Sequence, residues 1–228
     1  MRMGLLIASA AGALALGTSA AAAADLAAYP SPPAPTAAPP TSTTFSIETD
    51  PEFYAADKSP SQPAGTMADD FVKVAISHTF GGVWVLSGSL QPQIDIQSNG
   101  GDKYRYYAEG DLGYKIKLNS FTLTPTVGIG DVWGDTGITS ASVSAVYYAF
   151  FLAGDWKLSS KWTWNVFNVR YRNAFDYTWI TPKVSTGVTY NINSQNAIYT
   201  SIGYSWKDTG AGLKPDKVNV GLGYKYSF

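Results

Sequence analysis

The chain has 228 residues, a formal net charge of −1 and only 14% charged residues, where a soluble domain carries about a quarter. It contains no cysteine and a single histidine, which excludes a disulfide framework and a thiolate metal site. Near-neutral charge offers nucleic acid no basic footprint, and the one long apolar run lies in the first twenty residues, so a helical membrane protein is excluded too.

That first run predicts an export signal over residues 1–24. Arg2 supplies a positive start, Leu5 to Leu16 a short apolar core, and Thr18, Ser19 and the alanines up to Ala24 a small-residue cleavage region before Asp25. Residues 25–43 are proline-rich and almost uncharged, a composition that gives an extended spacer and no packed core. The folded part is expected over 44–228.

Thr44 to Tyr54 is the expected first strand, although Glu48, Asp50, Pro51 and Glu52 interrupt its pattern. Ala55 to Asp69 then reads as a polar loop. From Phe71 onward, apolar residues alternate with small or polar ones, the period-two signature of a two-faced strand. Trp84, Leu86, Leu90 and Ile94 oppose Ser87, Ser89, Gln91, Gln93 and Asp95. Tyr104, Tyr106, Leu112 and Tyr114 oppose Arg105, Glu109, Asp111 and Lys115 over a segment well beyond the usual ~5–6 residues of a globular strand. The pattern continues through Phe121–Ile129, Val146–Trp156, Ile180–Ile192, Ile198–Trp206 and Val218–Phe228. Between Trp162 and Tyr171 the apolar phase switches, which predicts a bulge near Asn165 to Phe167 that turns Asn168, Arg170 and Arg172 to the polar face. Pro92, Pro125 and Pro182 fall inside expected strands and predict local bulges or water-bonded gaps.

The connections also alternate. Gly81-Gly82, Asn119-Ser120, Ser159-Ser160 and Asn193 to Gln195 are tight, whereas Gln97 to Asp102, Val132 to Ser142 and Asp208 to Leu213 are longer and polar. Short turns on one rim and long loops on the other, with strands of ~9–11 residues or more, describe a closed antiparallel transmembrane β-barrel. Parity favours about ten strands, with eight as the alternative, and places both termini on the short-turn rim. A soluble barrel would bury the apolar face instead, and would not need its tryptophans sorted to the rims. Trp84, Trp156, Trp162 and Trp164 fall at the tight-turn ends and Trp133, Trp179 and Trp206 at the long-loop ends, an expected pair of aromatic belts.

The chain ends in Asn219-Val220-Gly221-Leu222-Gly223-Tyr224-Lys225-Tyr226-Ser227-Phe228. This segment resembles the last strand of Gram-negative outer-membrane β-barrel proteins: a polar residue, a glycine two later, alternating aromatics and a final phenylalanine. The Asp25-Leu26 start and proline-rich spacer are similar to small porin-like outer-membrane proteins of alphaproteobacteria. The resemblance implies a cell outer-membrane location with periplasmic termini and contact with outer-membrane lipid and lipopolysaccharide. It also implies handling by the barrel assembly machinery, through Asn219, Gly221, Tyr224, Tyr226 and Phe228. No cofactor, metal or nucleic-acid partner is expected, given one histidine, no cysteine and near-neutral charge, and the oligomeric state stays open.

Ten-stranded outer-membrane proteases resemble a histidine-plus-carboxylate site at the long-loop rim. Here His78 lies two residues from the Phe80-Gly81-Gly82 turn, at the opposite rim and in phase with Val72, Val74 and Ile76. An enzyme is therefore not expected. The functional signal is the charge turned inward, because a Lys or Arg facing lipid near the midplane costs ~2–4 kcal/mol. Strand phase places Lys73, Arg105, Lys115, Lys117, Lys157, Arg170, Arg172, Lys183, Lys217 and Lys225 inside, against Asp95, Glu109, Asp111 and Asp155. That excess of cations predicts a narrow pore favouring small anions. The alternatives are a salt-bridged, plugged structural barrel, or an adhesin-like one acting through its loops.

Overall fold

Alternation becomes architecture in a computed structural model of the chain, which describes residues 41–57, 59–60, 62–95, 103–134, 144–208 and 210–228. The expected export signal and nearly all of the expected linker lie outside the described residues, as do the parts of the expected loops at 96–102 and 135–143. Every regular element among the described residues is a strand: β1 (Ser42–Thr49), β2 (Glu52–Tyr54), β3 (Met67–Phe80), β4 (Trp84–Asp95), β5 (Lys103–Tyr114), β6 (Ile116–Leu118), β7 (Phe121–Gly134), β8 (Ala145–Lys157), β9 (Trp162–Ala174), β10 (Lys183–Asn191), β11 (Asn196–Lys207) and β12 (Lys214–Ser227). β1 starts at Ser42, inside the stretch expected to be linker.

Each strand pairs antiparallel with its neighbours, and β1 pairs with both β3 and β12, so the sheet closes on itself. Closure leaves no edge, which lets every pass satisfy its backbone without water. β2 carries on from β1 between the same two neighbours, and β6 carries on from β5 along β7. The result is a ten-stranded antiparallel barrel with two short supplementary strands.

Four irregularities have sequence causes. The first pass breaks at Asp50-Pro51, because Pro51 has no N–H to give the ladder. The neighbours adapt: Asp50 N–H donates to Phe71 O (3.1 Å) and Pro51 O accepts from Val220 N–H (3.2 Å). At Pro92 the β3–β4 ladder skips Val72 and Lys73, then resumes in unchanged register from Val74↔Leu90. Pro125 does the same to the fourth pass, splitting β5 from β6 without changing the register against β7. Of the two alternatives expected at these prolines, bulge or gap, both are gaps in the ladder, because the chain loses a bond but inserts no residue. Pro182 lies just outside β10, and its carbonyl accepts from Trp206 N–H (2.9 Å). A true bulge occurs in β9, where Gly154↔Phe167 is followed by Asp155↔Asn165. Val166 is the extra residue, at the place where the apolar phase switches.

Ser42 and Phe228 share a rim with the turns at 81–83, 119–120, 158–161 and 192–195, and the longer connections are at the other. The turn after β3 uses left-handed backbone at Gly81 (φ 58°) and Gly82 (φ 70°), where a side chain would be strained, and Asn119 adopts φ 53° in the next.

The faces are inside-out relative to a water-soluble protein. Leu222 is 60% exposed and Ile129 58% exposed on the outer surface, whereas Asp69 is 1% exposed within. Burying large aliphatic side chains is the main force in a water-soluble fold, so an exterior this apolar requires hydrocarbon around it. The barrel is a membrane-spanning one.

Candidate functional site: the charged lumen

The inward side chains make two adjoining cavities. The outer one, toward the long-loop rim, has a volume of about 310 Å³, and the inner one, toward the terminal rim, about 350 Å³. Both are bordered by Phe71, Gln91, Arg170 and Lys183, which form the layer between them.

Ion pairs cross this interior. Lys183 Nζ donates to Asp50 Oδ2 (3.1 Å) and lies 3.8 Å from Glu52 Oε1, and Lys217 Nζ holds Glu52 Oε2 at 3.0 Å. Lys217 also pairs with Asp69, and Arg105 Nη2 is 4.0 Å from the other oxygen of that carboxylate. Asn219 donates to Asp50 Oδ1 at 2.7 Å, so Asp50 is engaged at both oxygens. On the opposite wall Arg172 Nη2 donates to Glu109 Oε2 at 3.1 Å, with both side chains buried. The guanidinium of Arg172 also sits 4.5 Å from the centre of the Tyr147 ring, 5.3 Å from Tyr107 and 5.9 Å from Trp179. Three ring faces around one cation offset part of the cost of desolvating it.

Glu48, Asp50, Glu52 and Asp69 correct the sequence-based charge balance, which left these acids to loops and to a poorly patterned first strand. Asp50 and Asp69 are buried, Glu52 borders the outer cavity, and Glu48 borders the inner one, where it accepts from Tyr199 Oη at 3.0 Å. Asp69 belongs to β3, so the expected loop from Ala55 to Asp69 is shorter than its assignment. The ten-to-four cation excess accordingly falls. It does not vanish: the outer cavity is bordered by Arg105, Arg170, Arg172, Lys183, Lys207 and Lys217 against Glu52, Asp69 and Asp216.

The other predicted interior charges distribute along the axis. Lys73, Asp155 and Lys225 border the inner cavity, and Lys225 Nζ lies 4.4 Å from the centre of the Tyr199 ring. Asp111 accepts from Ser87 Oγ (3.3 Å), and Lys115 donates to Thr79 Oγ1 (3.1 Å) near the tight-turn rim. The side chain of Asp95 lies outside what the structure describes.

On the outer surface Trp84, Trp156, Trp162 and Trp164 are exposed at the terminal rim and Trp133 at the other, stacked on Tyr106 at 5.8 Å. Trp179 is a correction. It is 3% exposed and points inward, stacked on Tyr107, because the connection turns in at Trp179 and Thr181, which border the outer cavity, and the backbone N–H of Trp179 donates to Asn173 Oδ1 at 2.9 Å. Trp206, half-buried, borders the outer cavity beside Tyr204 rather than standing clear in a belt. The terminal segment divides by face. Asn219 and Gly221 point inward, with Gly221 leaving room for Ser201 and Glu48, while Tyr224 and Tyr226 face outward beside Ile47 and Phe45 of β1. Phe228 stacks on Tyr226 at 5.9 Å, and its N–H donates to Thr43 O at 2.9 Å. His78 is exposed on the outer face, its Nδ1 2.8 Å from Thr43 Oγ1.

No protein-family model matches the chain, and no curated protein matches it. Solved outer-membrane β-barrels are similar in fold. The β domain of the Bordetella autotransporter BrkA is 11% identical, with 82% of this chain and 99% of that one covered and a TM-score of 0.49. The KdgM porin is 16% identical, covering 80% and 99%, with a TM-score of 0.42. The CymD monoaromatic hydrocarbon channel is 11% identical with a TM-score of 0.40; 76% of this chain aligns, but it spans only 55% of CymD. At these values the likenesses name no function.

Proposed function

We propose that this chain is an outer-membrane channel for passive passage of small solutes, preferentially anionic, with its termini and tight turns on the periplasmic side. The observation that carries this reading is the outer cavity, where six cationic side chains face three carboxylates. In a low-dielectric wall such an excess concentrates anions and repels cations. The inner cavity supports the same sign, with Lys73, Arg170, Lys183 and Lys225 against Glu48, Asp50 and Asp155. Glu48, Asp50, Glu52 and Asp69 stand on the first pass and β3, and Arg170 and Arg172 on β9 on the far wall, so part of the charge is segregated across the lumen. A solute passing between them meets a transverse field.

Planar-bilayer recording of the purified barrel in a KCl gradient tests the proposal. Conductance with a reversal potential toward chloride supports it; no conductance, or potassium preference, refutes it. A plugged structural barrel is the second reading, favoured by the Lys183–Asp50 pair, which reaches across the interior between non-adjacent strands. Swelling of liposomes in small neutral and anionic solutes separates the two.

A further inference from the structure

The geometry points to a built-in site for a small oxyanion, carboxylate or phosphate in type, on the guanidinium of Arg170 at the layer between the two cavities. Arg170 is directly opposite Lys183 across the β9–β10 ladder, and both border both cavities. Like charges directly opposite on one face destabilise a sheet pair, so each cation here needs a counter-charge. Lys183 has two, Asp50 and Glu52. Arg170 has none: among the described residues no carboxylate comes within 4.0 Å of it, and its Nε–H, shielded from water, meets no acceptor.

The carboxylates that reach it electrostatically at longer range are already committed, Glu52 to Lys217 and Lys183, and Glu109 to Arg172. Nε–H groups of Arg105 and Arg172 are also unmatched, but those side chains hold Asp69 and Glu109 through their terminal nitrogens. Arg170 is the interior arginine whose fork is unspent. A planar guanidinium presents paired N–H donors that match two oxygens of a carboxylate or phosphate. Gln91, which borders the same layer, adds an amide within the site. The Val166 bulge creates the site, because in a regular strand with Val166 counted into the ladder Arg170 would share the outward phase of Trp162 and Trp164.

The inference rests on the reading of the lumen as an anion path, since it names the place where a passing anion pauses. Its test does not require conductance. Inorganic phosphate is titrated into the folded, detergent-solubilised full chain and binding is followed by phosphorus NMR line broadening. The expected result is saturable binding by the native chain, at least tenfold weaker in Arg170→Gln. Arg170→Lys, which keeps the charge but loses the fork, should weaken binding several-fold, and it decides the matter if Arg170→Gln fails to fold. No saturable binding by the native chain, or equal binding by the variant that folds, overturns the site. Binding without any bilayer conductance would refute the channel and leave the site standing, whereas chloride-selective conductance unchanged in Arg170→Gln, with no phosphate binding, would do the reverse.

Discussion

Replacing Glu109 by alanine would strand the most enclosed cation of the lumen. Arg172 and Glu109 are 3.1 Å apart, with side chains 8% and 4% exposed. Removing one partner of such a pair costs about 3–5 kcal/mol, since the other is left desolvated without its counter-charge. The rings of Tyr147, Tyr107 and Trp179 remain around the guanidinium and return about 1 kcal/mol, which places Glu109→Ala at the lower end, about 3 kcal/mol. With a urea slope of about 3 kcal/mol per M, the unfolding midpoint of the barrel in lipid vesicles should fall by about 1 M. Tryptophan fluorescence reads that transition. The double variant Glu109→Leu with Arg172→Leu should return most of the loss, because an apolar pair of similar volume carries no unpaired charge. A single variant within about 0.2 M of the native midpoint, or a double variant no more stable than the single, would refute the assignment of this pair as a buried, mutually dependent unit.

Other expectations follow from the same geometry. Ile129→Arg, at mid-strand on the outer face, should cost about 2–4 kcal/mol, whereas Leu118→Arg beside a tight turn should cost about 1 kcal/mol or less; urea unfolding in vesicles compares them. Asp69→Asn removes a negative charge from the outer cavity and should move the reversal potential further toward chloride, while Lys207→Gln should move it back. A side chain at Gly223 would run into the Tyr199 ring, so Gly223→Val should lower stability by about 1–3 kcal/mol through overpacking, measured as a shift in the same unfolding midpoint. Deleting Phe228 removes its stack on Tyr226 and its bond to Thr43, and the fraction of chain inserted in the outer membrane should fall, as read by surface proteolysis of cells.

The barrel was legible because each pass carries its two environments as a strict period of two, and because a phase switch such as that at Val166 has few physical explanations. The turn rims were legible from Gly81-Gly82 and Asn119-Ser120, whose residues suit left-handed backbone. The acids of the first pass were obscured by Pro51, which suggested a broken, weak strand rather than a strand with a kink. Their phase nevertheless held the signal: Glu48, Asp50 and Glu52 share one parity, opposite Phe45 and Ile47, and Asp69 shares parity with Phe71 and Lys73. Trp179 was misplaced because it lies in no alternating segment; whether such a residue faces lipid or folds into the mouth depends on the path of residues 175–182, which local pattern does not determine. The cross-lumen partners of each charge were likewise beyond the sequence, since they depend on barrel shear.

The seam where β1 meets β12 joins residues 183 positions apart, as in the bond between Thr44 and Ser227. Bringing such distant segments together costs about 3 kcal/mol more chain entropy than closing a hairpin of a few residues. Hairpins such as β3–β4 can therefore zip early, while the seam must wait for the rest. Until it shuts, the polypeptide carries two unpaired sheet borders and a greasy flank, the combination most prone to clumping. The strand that completes the ring is the last in chain order, so closure waits on every earlier hairpin.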